Sequence, residues 1–183
     1  MNSRTKNNKL IIGIHGVAGA GKDTAAVPFL EHGYRKVSFA DAIKDALNSM
    51  MGWHHAMWEN REWKETPQPL LGMSPRDMAL SLGTTWGRDT VDPDIWIKLA
   101  IAKADQIPAV IPDVRFENEA QAIRDAGGVI IEVVRPDNPF PKINHKSEVR
   151  LPPELIDFSI INNGSVDDLH QKIENLFEGL DAS

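Results

Sequence analysis

Five short apolar runs, rich in β-branched residues, divide the chain, and none of them alternates cleanly between apolar and polar positions. They are Leu10 to Ile14, Lys36 to Phe39, Ala109 to Ile111, Val129 to Val134 and Phe158 to Ile161. Strands that are apolar on both sides belong to a sheet that is covered on both faces. Because helical patterns lie between most of these runs, the sequence predicts a parallel sheet in a three-layer α/β fold with right-handed crossovers.

The helical stretches carry their own start and stop signals. Ser165 and Asp168 form a capping-box pattern in front of the last amphipathic stripe. Ser74 opens a short helix that Gly83 is expected to close. A further helix is expected to follow Arg115.

Two segments interrupt the alternation of strands and helices. Residues 52–103 contain helical patterns only, together with all five tryptophans, so we expect an inserted helical subdomain there. Residues 136–153 are rich in proline and charge, which is typical of a loop or lid over one edge of a sheet. The expected organisation is one domain over residues 1–183, with its core in residues 9–51, 104–135 and 154–180.

The composition narrows the chemistry. The 183 residues include no cysteine, which excludes disulfides, thiolate catalysis and cysteine-ligated zinc and fits a reducing compartment. A net charge of −6 disfavours binding to a nucleic-acid polymer, because such surfaces cluster Lys and Arg against phosphates. No run approaches the roughly 18 apolar residues of a membrane span, and the run from Leu10 to Ile14 is too short for a convincing secretory leader.

A glycine-rich loop follows the first apolar run and precedes a helical pattern. Glycines let the backbone wrap around an anion with its N–H groups turned inward, and the following helix presents its positive end. A lysine in the loop adds a positive charge for the β- and γ-phosphates of a nucleotide. We therefore predict that ATP binds to Gly16, Ala18, Gly19, Ala20, Gly21, Lys22, Asp23 and Thr24.

Two positions depart from the common form of this loop. Asp23 stands where a Ser or Thr usually holds Mg²⁺, and Thr24 comes one place later, so the sequence leaves open which of the two approaches the metal. Pro28 falls early in the helix after the loop. Because proline has no N–H, one backbone hydrogen bond should be missing there.

Three further segments accompany the loop, and together they carry a family resemblance. They read Ser38-Phe39-Ala40-Asp41, Gly83-Thr84-Thr85-Trp86-Gly87-Arg88 and Asp113-Val114-Arg115-Phe116-Glu117-Asn118-Glu119. With them, the chain resembles the bacteriophage-type deoxynucleoside monophosphate kinases over most of its length. The resemblance implies a three-layer P-loop NTPase fold with a five-stranded parallel sheet, a helical acceptor-binding insert and a lid.

The resemblance also implies roles for individual residues. The loop and Lys22 would bind ATP, Asp113 would orient Mg²⁺ and its water, and arginines would grip the acceptor phosphate through bidentate geometry. The implied catalytic residues are Lys22, Arg88, Arg115 and Arg150. The implied metal ligands are Asp23, Thr24 and Asp113. The implied substrate-binding residues are Asp41, Lys44, Trp86, Arg88, Asp113, Arg115, Glu119 and Lys146.

Each of these roles has a plain structural alternative. Asp113 can instead cap the following helix, and the arginines can be surface ion-pair partners. Trp86 and Trp96 either stack on the acceptor base or form the core of the insert. Several lid cations are candidates for assisting transfer, with solvated loop charge as the alternative: Arg135, Lys142, His145, Lys146 and Arg150.

The implied reaction is the transfer of the γ-phosphoryl group of ATP, with Mg²⁺, to a deoxynucleoside monophosphate. Two alternatives remain: a kinase for another small acceptor such as dephospho-coenzyme A, and a non-catalytic nucleotide-binding protein. The sequence leaves open the preferred base, the selectivity for deoxyribose and whether the chain forms a homodimer. The resemblance implies a cytoplasmic protein, in the host cytoplasm if a phage encodes it.

Overall fold

The computed structural model describes residues 11–138 and 150–181. Its sheet has five strands in the order β2-β3-β1-β4-β5, and every pair of neighbouring strands is parallel. The strands are β1 (Ile11–His15), β2 (Arg35–Lys36), β3 (Ala109–Val114), β4 (Val129–Val134) and β5 (Phe158–Ile161). The predicted parallel α/β sheet is therefore confirmed.

Seven α-helices lie between and after the strands in the described chain. They are α1 (Lys22–Glu31), α2 (Asp41–Met51), α3 (Arg61–Glu65), α4 (Pro75–Ser81), α5 (Ile95–Ala104), α6 (Glu117–Asp125) and α7 (Val166–Asp181). None of the helices within residues 11–138 and 150–181 is long and apolar enough to cross a membrane.

The strand β2 is shorter than its apolar run suggested. Regular pairing covers only Arg35 and Lys36, but the N–H of Val37 still donates to the carbonyl of Val110 at 2.9 Å. Val37 is also almost fully buried. The run from Lys36 to Phe39 therefore begins as a strand and leaves the sheet after Val37.

The proline in α1 is accommodated by a side chain from another helix. Pro28 cannot donate the helical hydrogen bond to the carbonyl of Thr24, four residues earlier. In its place, Nε2 of His170 in α7 donates to that carbonyl at 3.1 Å. The missing bond predicted from the sequence is thus replaced by a tertiary one, and α1 continues through Pro28 to Glu31.

Helix α7 begins as the sequence predicted. The Oγ of Ser165 accepts from the N–H of Asp168 at 3.1 Å, and the Asp168 carboxylate accepts from the N–H of Ser165 at 2.8 Å. These two bonds satisfy N–H groups that a helix start leaves without partners.

The expectation that Gly83 closes the helix after Ser74 is wrong. Helix α4 continues without a break into a π-helical segment, Leu82–Val91. Gly83 and Gly87 lie buried inside that segment because the Trp96 indole packs against both glycines. The indole Nε1 also donates to the carbonyl of Gly83 at 2.7 Å. Here glycine serves close packing rather than helix termination.

The chain divides into two compact units. The first comprises residues Met1–Ser38 and Ile101–Ser183, and the second Phe39–Ala100. In the first unit, α1 and α7 pack on one face of the sheet, where Phe29, Ile131 and Ile173 are fully buried. The helical insert expected over residues 52–103 falls largely within the second unit.

The second unit has its own apolar core, which is built largely from indole rings. Trp58 and Trp96 are buried with Ile43, Leu47 and Met78. Three further ring contacts join Trp53, Trp58 and Trp63 edge to face, with centroids 5.0 to 6.1 Å apart. Such contacts contribute specific geometry in addition to apolar burial.

The close approach of Gly87 to Trp96 makes a testable prediction. A Cβ added at Gly87 would lie 2.4 to 2.8 Å from three indole atoms of Trp96, whose ring is fixed by its hydrogen bond to Gly83. Gly87→Ala should therefore lower the free energy of unfolding by about 1–3 kcal/mol. Urea unfolding followed by tryptophan fluorescence measures this directly, because all five tryptophans lie in the second unit.

A matched control is Gly179→Ala on an exposed turn of α7, where an added Cβ meets no atom within 4 Å. Alanine has the higher helix propensity, so this change should stabilise the protein by roughly 0.5–1 kcal/mol. An unchanged fluorescence midpoint for Gly87→Ala would contradict the packing described here.

Candidate functional site

The glycine-rich loop connects β1 to α1 and adopts a backbone that only glycine tolerates at several positions. The φ angles of Gly19 and Gly21 are +76° and +100°. A Cβ on Gly21 would lie 2.7 Å from Nδ2 of Asn162, and one on Gly16 would lie 2.6 Å from the carbonyl oxygen of Val133. The glycines therefore supply both the turn and the close approach to neighbouring strands.

Three successive carbonyl groups of the loop are held by side chains from other parts of the first unit. Asn138 donates to the carbonyl of Ala18 at 2.7 Å, and Asn162 donates to that of Ala20 at 2.8 Å. Between them, Nη1 of Arg135 lies 3.4 Å from the carbonyl of Gly19. The carbonyls thus point toward β4 and β5 and their following loops.

The orientation of these carbonyls fixes that of the amide groups. In a planar trans peptide the N–H points opposite to the C=O, so the N–H groups of Gly19 and Gly21 face away from Asn138 and Asn162. Within the described chain, no hydrogen bond engages the N–H groups of Gly19, Gly21 or Lys22. Unpaired amides in a glycine-rich turn at a helix start form an anion-binding concavity.

Lys22 lies across this concavity. Its Nζ donates to the carbonyls of Gly16 and Val17 at 2.8 and 3.2 Å. Burial lowers the pKa of Lys22, and the charge of Arg115 lowers it further, whereas the carboxylates of Asp113 and Asp23 oppose the shift. A bound anion would also oppose it, so a charged Lys22 and an anion in the loop favour each other.

The two candidate metal ligands at the start of α1 have different surroundings. The carboxylate of Asp23 is largely exposed and pairs with Lys36 at 2.8 Å. Thr24 is half-buried, and no hydrogen bond joins its hydroxyl to another described residue. Asp23 therefore has a cationic partner within the protein, whereas the hydroxyl of Thr24 has none among the described residues.

At the carboxyl end of β3, a carboxylate and a guanidinium of the predicted site form an ion pair. Nε of Arg115 donates to Oδ1 of Asp113 at 2.8 Å, and both side chains are about half exposed. This bond raises the pKa of Arg115 above its ordinary value, so the guanidinium stays charged. Asp113 keeps its second oxygen for other ligands, and it caps no helix, since α6 begins at Glu117.

The carboxylate of Glu119 bonds backbone groups at the start of its own helix. It is buried, and its Oε2 accepts from the backbone N–H groups of Arg115 and Phe116 at 2.8 and 3.1 Å. This carboxylate therefore fixes the loop that carries Arg115. Its predicted contact with the acceptor stays a prediction.

The predicted lid is only partly described. Lys142, His145 and Lys146 lie outside the described residues. Arg150 is exposed and forms no hydrogen bond or ion pair with another described residue.

The remaining candidates lie in the second unit. Trp86 and Arg88 project from the π-helical segment, with half of Trp86 exposed. Trp96 is 4% exposed, which makes it part of the core of the insert, whereas Trp86 lies 6.4 Å from it on the outside. Asp41 and Lys44 lie half-buried in the first turn of α2.

No group of three or more His, Cys, Asp or Glu side chains in the described chain is arranged to hold a metal. Magnesium in nucleotide sites needs no such cage, since it takes one or two protein oxygens and completes its shell with phosphates and water. The oxygens of Thr24 and Asp113 fit that donor set.

Sequence reasoning missed the polar side chains that hold the loop from behind, above all Asn138, Asn162 and His170. Asn138 and Asn162 follow β4 and β5, and polar residues at the carboxyl ends of parallel strands are a signal that could have identified them. Their partners lie 120 and 142 residues away in the chain, so no local pattern predicts the pairing.

Comparisons with known proteins show which family this chain is similar to. The family model described as "Deoxynucleotide monophosphate kinase" matches residues 68–173, more than half of the chain. A protein of Acanthamoeba polyphaga mimivirus is 31% identical over 182 residues, covering 90% of this chain and 94% of that protein. The "Deoxynucleoside-5'-monophosphate kinase" of Escherichia phage T5 is 26% identical over 223 residues, covering 84% and 89%.

Among solved structures, a dephospho-CoA kinase from Campylobacter jejuni superposes with a TM-score of 0.52 at 11% identity, covering 93% of this chain and 96% of that one. A shikimate kinase from Aquifex aeolicus gives a TM-score of 0.50 at 10% identity, covering 93% and 97%. At such identities the likeness concerns the fold alone, which is that of P-loop kinases.

The contact between Asn162 and the loop makes a testable prediction. Asn162→Ala removes the donor that holds the carbonyl of Ala20 and should weaken nucleotide binding. The loss of one such hydrogen bond, about 1 kcal/mol, corresponds to a roughly fivefold higher Kd for ATP. Isothermal titration calorimetry of the two proteins measures the change.

Gln171→Ala is the matched control, because among the described residues that amide donates only to Asn175, on the exposed face of α7. Its Kd for ATP should stay within about twofold of the original, well under the effect of one lost hydrogen bond. Equal Kd values for Asn162→Ala and the unchanged protein would refute the holding role.

Proposed function

Because this chain belongs to the deoxynucleotide monophosphate kinase family, we propose that Lys22 and the loop from Gly16 to Thr24 bind ATP for transfer of its γ-phosphoryl group. The chain is an ATP-dependent phosphotransferase that acts on a deoxynucleoside monophosphate. The proposal concerns which residues perform that reaction and how.

One observation carries the assignment of the ATP site. The carbonyls of Ala18 and Ala20 have side-chain partners outside the loop, so the N–H groups of Gly19 and Gly21 face the opposite side, where no described residue bonds them. Amide N–H groups together with one ammonium group are complementary to the negative charge of a polyphosphate.

On the acceptor side we propose that Arg115, in the first unit, binds the monophosphate. The Asp113 carboxylate holds Nε of Arg115, which leaves the two terminal nitrogens of the guanidinium free to bond a phosphate in parallel. Taken by itself, the second unit presents the Arg88 guanidinium exposed and without a bond to another described residue, and for Arg88 we also propose a contact with a phosphate. Trp86, beside it on the π-helical segment, has the exposed aromatic face that a base can stack on.

For the metal we propose Thr24 and Asp113 as the protein oxygens that hold Mg²⁺. The pairing of Asp23 with Lys36 favours Thr24 over Asp23 as the ligand at the start of α1. When bound, Mg²⁺ neutralises charge on the β- and γ-phosphates.

The reaction needs little proton chemistry from the protein. The attacking oxygen belongs to a phosphate that is already anionic at neutral pH, so no strong general base is required. Lys22 and Arg115 stabilise charge that moves from the γ-phosphoryl group to the leaving ADP, and the amides of the loop keep the donor in line. Arg150 is our proposal for a further cation at the transferred group.

The relatives in phages support a further proposal, that the enzyme works in the cytoplasm of an infected host. Its substrate is then a free nucleotide and not a nucleic-acid polymer, in line with the net charge of −6.

An acceptor panel tests the proposed site together with the reaction. ATP is supplied with dAMP, dCMP, dGMP or dTMP, and then with dephospho-coenzyme A, and ADP release is measured by a coupled assay. ADP should appear with at least one deoxynucleoside monophosphate. Lys22→Met, which keeps the side-chain length but not the charge, should lower kcat by about 10²- to 10³-fold.

The matched control is Lys64→Met, since the side chain of that lysine in α3 bonds no other described residue and kcat should not change. Near-normal activity of Lys22→Met would rule out the proposed ATP site. Binding of ATP without ADP release for any monophosphate would instead support a non-catalytic nucleotide-binding protein, and ADP release with dephospho-coenzyme A alone would support the other acceptor.

A conservative change at Arg115 tests the acceptor contact. Arg115→Lys keeps the charge but loses the planar fork, so the KM for the monophosphate should rise about 10- to 100-fold, the equivalent of one charge-assisted hydrogen bond. The KM for ATP should change little. Arg61→Lys, at an exposed pair with Glu65, is the control, and a similar rise in both KM values for Arg115→Lys would argue against a specific acceptor contact.

A further inference from the structure

His15 is the last residue of β1 and is only 4% exposed. Both of its ring nitrogens form hydrogen bonds. Its Nδ1 lies 2.9 Å from the carbonyl oxygen of Val114, and its Nε2 lies 3.3 Å from the backbone nitrogen of Leu151. A carbonyl only accepts and a backbone N–H only donates, so Nδ1 carries the proton and Nε2 presents its lone pair. The two contacts together define a neutral imidazole in one tautomer.

The peptide group between Val114 and Arg115 is fixed at both ends by buried side chains. Its oxygen accepts from His15 at 2.9 Å, and its N–H donates to Glu119 at 2.8 Å. Among the described residues the buried polar side chains are those of His15, Ser74 and Glu119. Two of these three therefore form hydrogen bonds to this one peptide group. Asp113 and Arg115, which form the ion pair of the proposed site, lie on either side of Val114.

The local strand geometry explains why a side chain is needed there. The register between β1 and β3 shifts between Gly13 and His15, because β3 has one extra residue beside Pro112. Proline cannot donate to a strand ladder, and an extra residue interrupts the pairing and re-aims its neighbours. His15 bonds the Val114 carbonyl at the level where regular pairing resumes.

The second contact of His15 reaches the far end of the predicted lid. Leu151 is 4% exposed, and its N–H is the donor to Nε2 of His15. Arg150, the residue before it, is exposed. One imidazole thus bonds two backbone groups, and each of them is next to a residue that the proposed function assigns to phosphoryl transfer.

We propose that His15 is a positioning residue for phosphoryl transfer, whose neutral imidazole holds Asp113 and Arg115 on one side and Arg150 on the other at fixed distances from the loop. The inference rests on the proposed function, since it assigns His15 no contact with either substrate. A shift of about 1 Å in positioned groups can cost on the order of 10²-fold in rate, so two backbone hydrogen bonds are enough to matter.

Burial favours the neutral ring. Burial lowers the pKa of His15 from its usual value of 6.5, and the cations of Lys22 and Arg150 add to this, while the Val114 carbonyl and the Glu132 carboxylate oppose it. Just below pH 6.5 the unfolded chain binds a proton that the folded chain does not, so this residue's contribution to stability declines as the pH falls through that window.

Three variants separate the two contacts. His15→Phe keeps the volume and removes both hydrogen bonds. His15→Asn carries an amide donor near the position of Nδ1 and loses the contact to Leu151, whereas His15→Gln carries an amide acceptor near the position of Nε2. We expect kcat to fall about 10- to 100-fold for His15→Phe and less for His15→Asn and His15→Gln, with the KM for ATP within about threefold because the loop amides are retained.

The control variant is His32→Asn, which removes an exposed histidine that pairs with Glu174 and bonds no residue of the proposed site, and it should leave kcat unchanged. Unchanged kcat in folded His15→Phe would overturn the inference. If His15→Phe does not fold, as judged by circular dichroism, His15→Asn decides in its place, and its unchanged kcat has the same meaning. A wild-type protein that is inactive toward every deoxynucleoside monophosphate would instead refute the proposed function.

A measurement on the unmodified protein tests the inference independently of activity. The ¹⁵N chemical shifts of the His15 ring at pH 7 should show a protonated Nδ1 and an unprotonated Nε2. The opposite tautomer, or a doubly protonated ring, would overturn the inference, because neither could accept from Leu151.

Discussion

A backbone that turns its amides toward an anion must find other partners for its carbonyls, and this constraint organises the first unit. Asn138, Arg135 and Asn162 supply those partners from the segments after β4 and β5. The positive φ angles of Gly19 and Gly21 let the chain follow the required path. The phosphate loop is therefore formed by its own glycines and equally by polar side chains that follow neighbouring strands.

Side chains from elsewhere in the first unit also bond the backbone at the end of β3. The register of β3 shifts beside Pro112, and buried His15 and Glu119 bond the peptide group between Val114 and Arg115 just after it. Buried polar groups are costly unless they are bonded. Here each bonds a backbone group beside a residue of the proposed site.

The second unit is stabilised by a different set of residues. Its core depends on indole rings, and glycines in the π-helical segment let Trp96 approach the backbone closely. π-Helical turns are rare and often occur at functional sites. The packing of Gly83 and Gly87 against Trp96 leaves Trp86 and Arg88 on the outside of the segment.

Much of the fold could be predicted because hydrophobic periodicity and helix-capping residues are local signals in the sequence. Four of the five apolar runs and the capping box of Ser165 are confirmed, whereas the run from Lys36 to Phe39 pairs regularly only at its start. Gly83 misled because glycine signals both helix ends and close packing, and only the position of Trp96 distinguishes them. The loop motif indicated Lys22 directly, whereas the partners of the loop carbonyls come from distant parts of the chain, where no spacing rule applies.

The bond from His170 to Thr24 joins the C-terminal helix to the helix that follows the proposed ATP loop. Pro28 leaves that carbonyl without a helical donor, and α7 both supplies the donor and covers Phe29 with Leu169 and Ile173. A chain shortened before residue 166 would expose this face of α1 and leave the carbonyl of Thr24 to water. Helix α7 therefore supports the conformation of α1, although it contributes no residue to the loop itself.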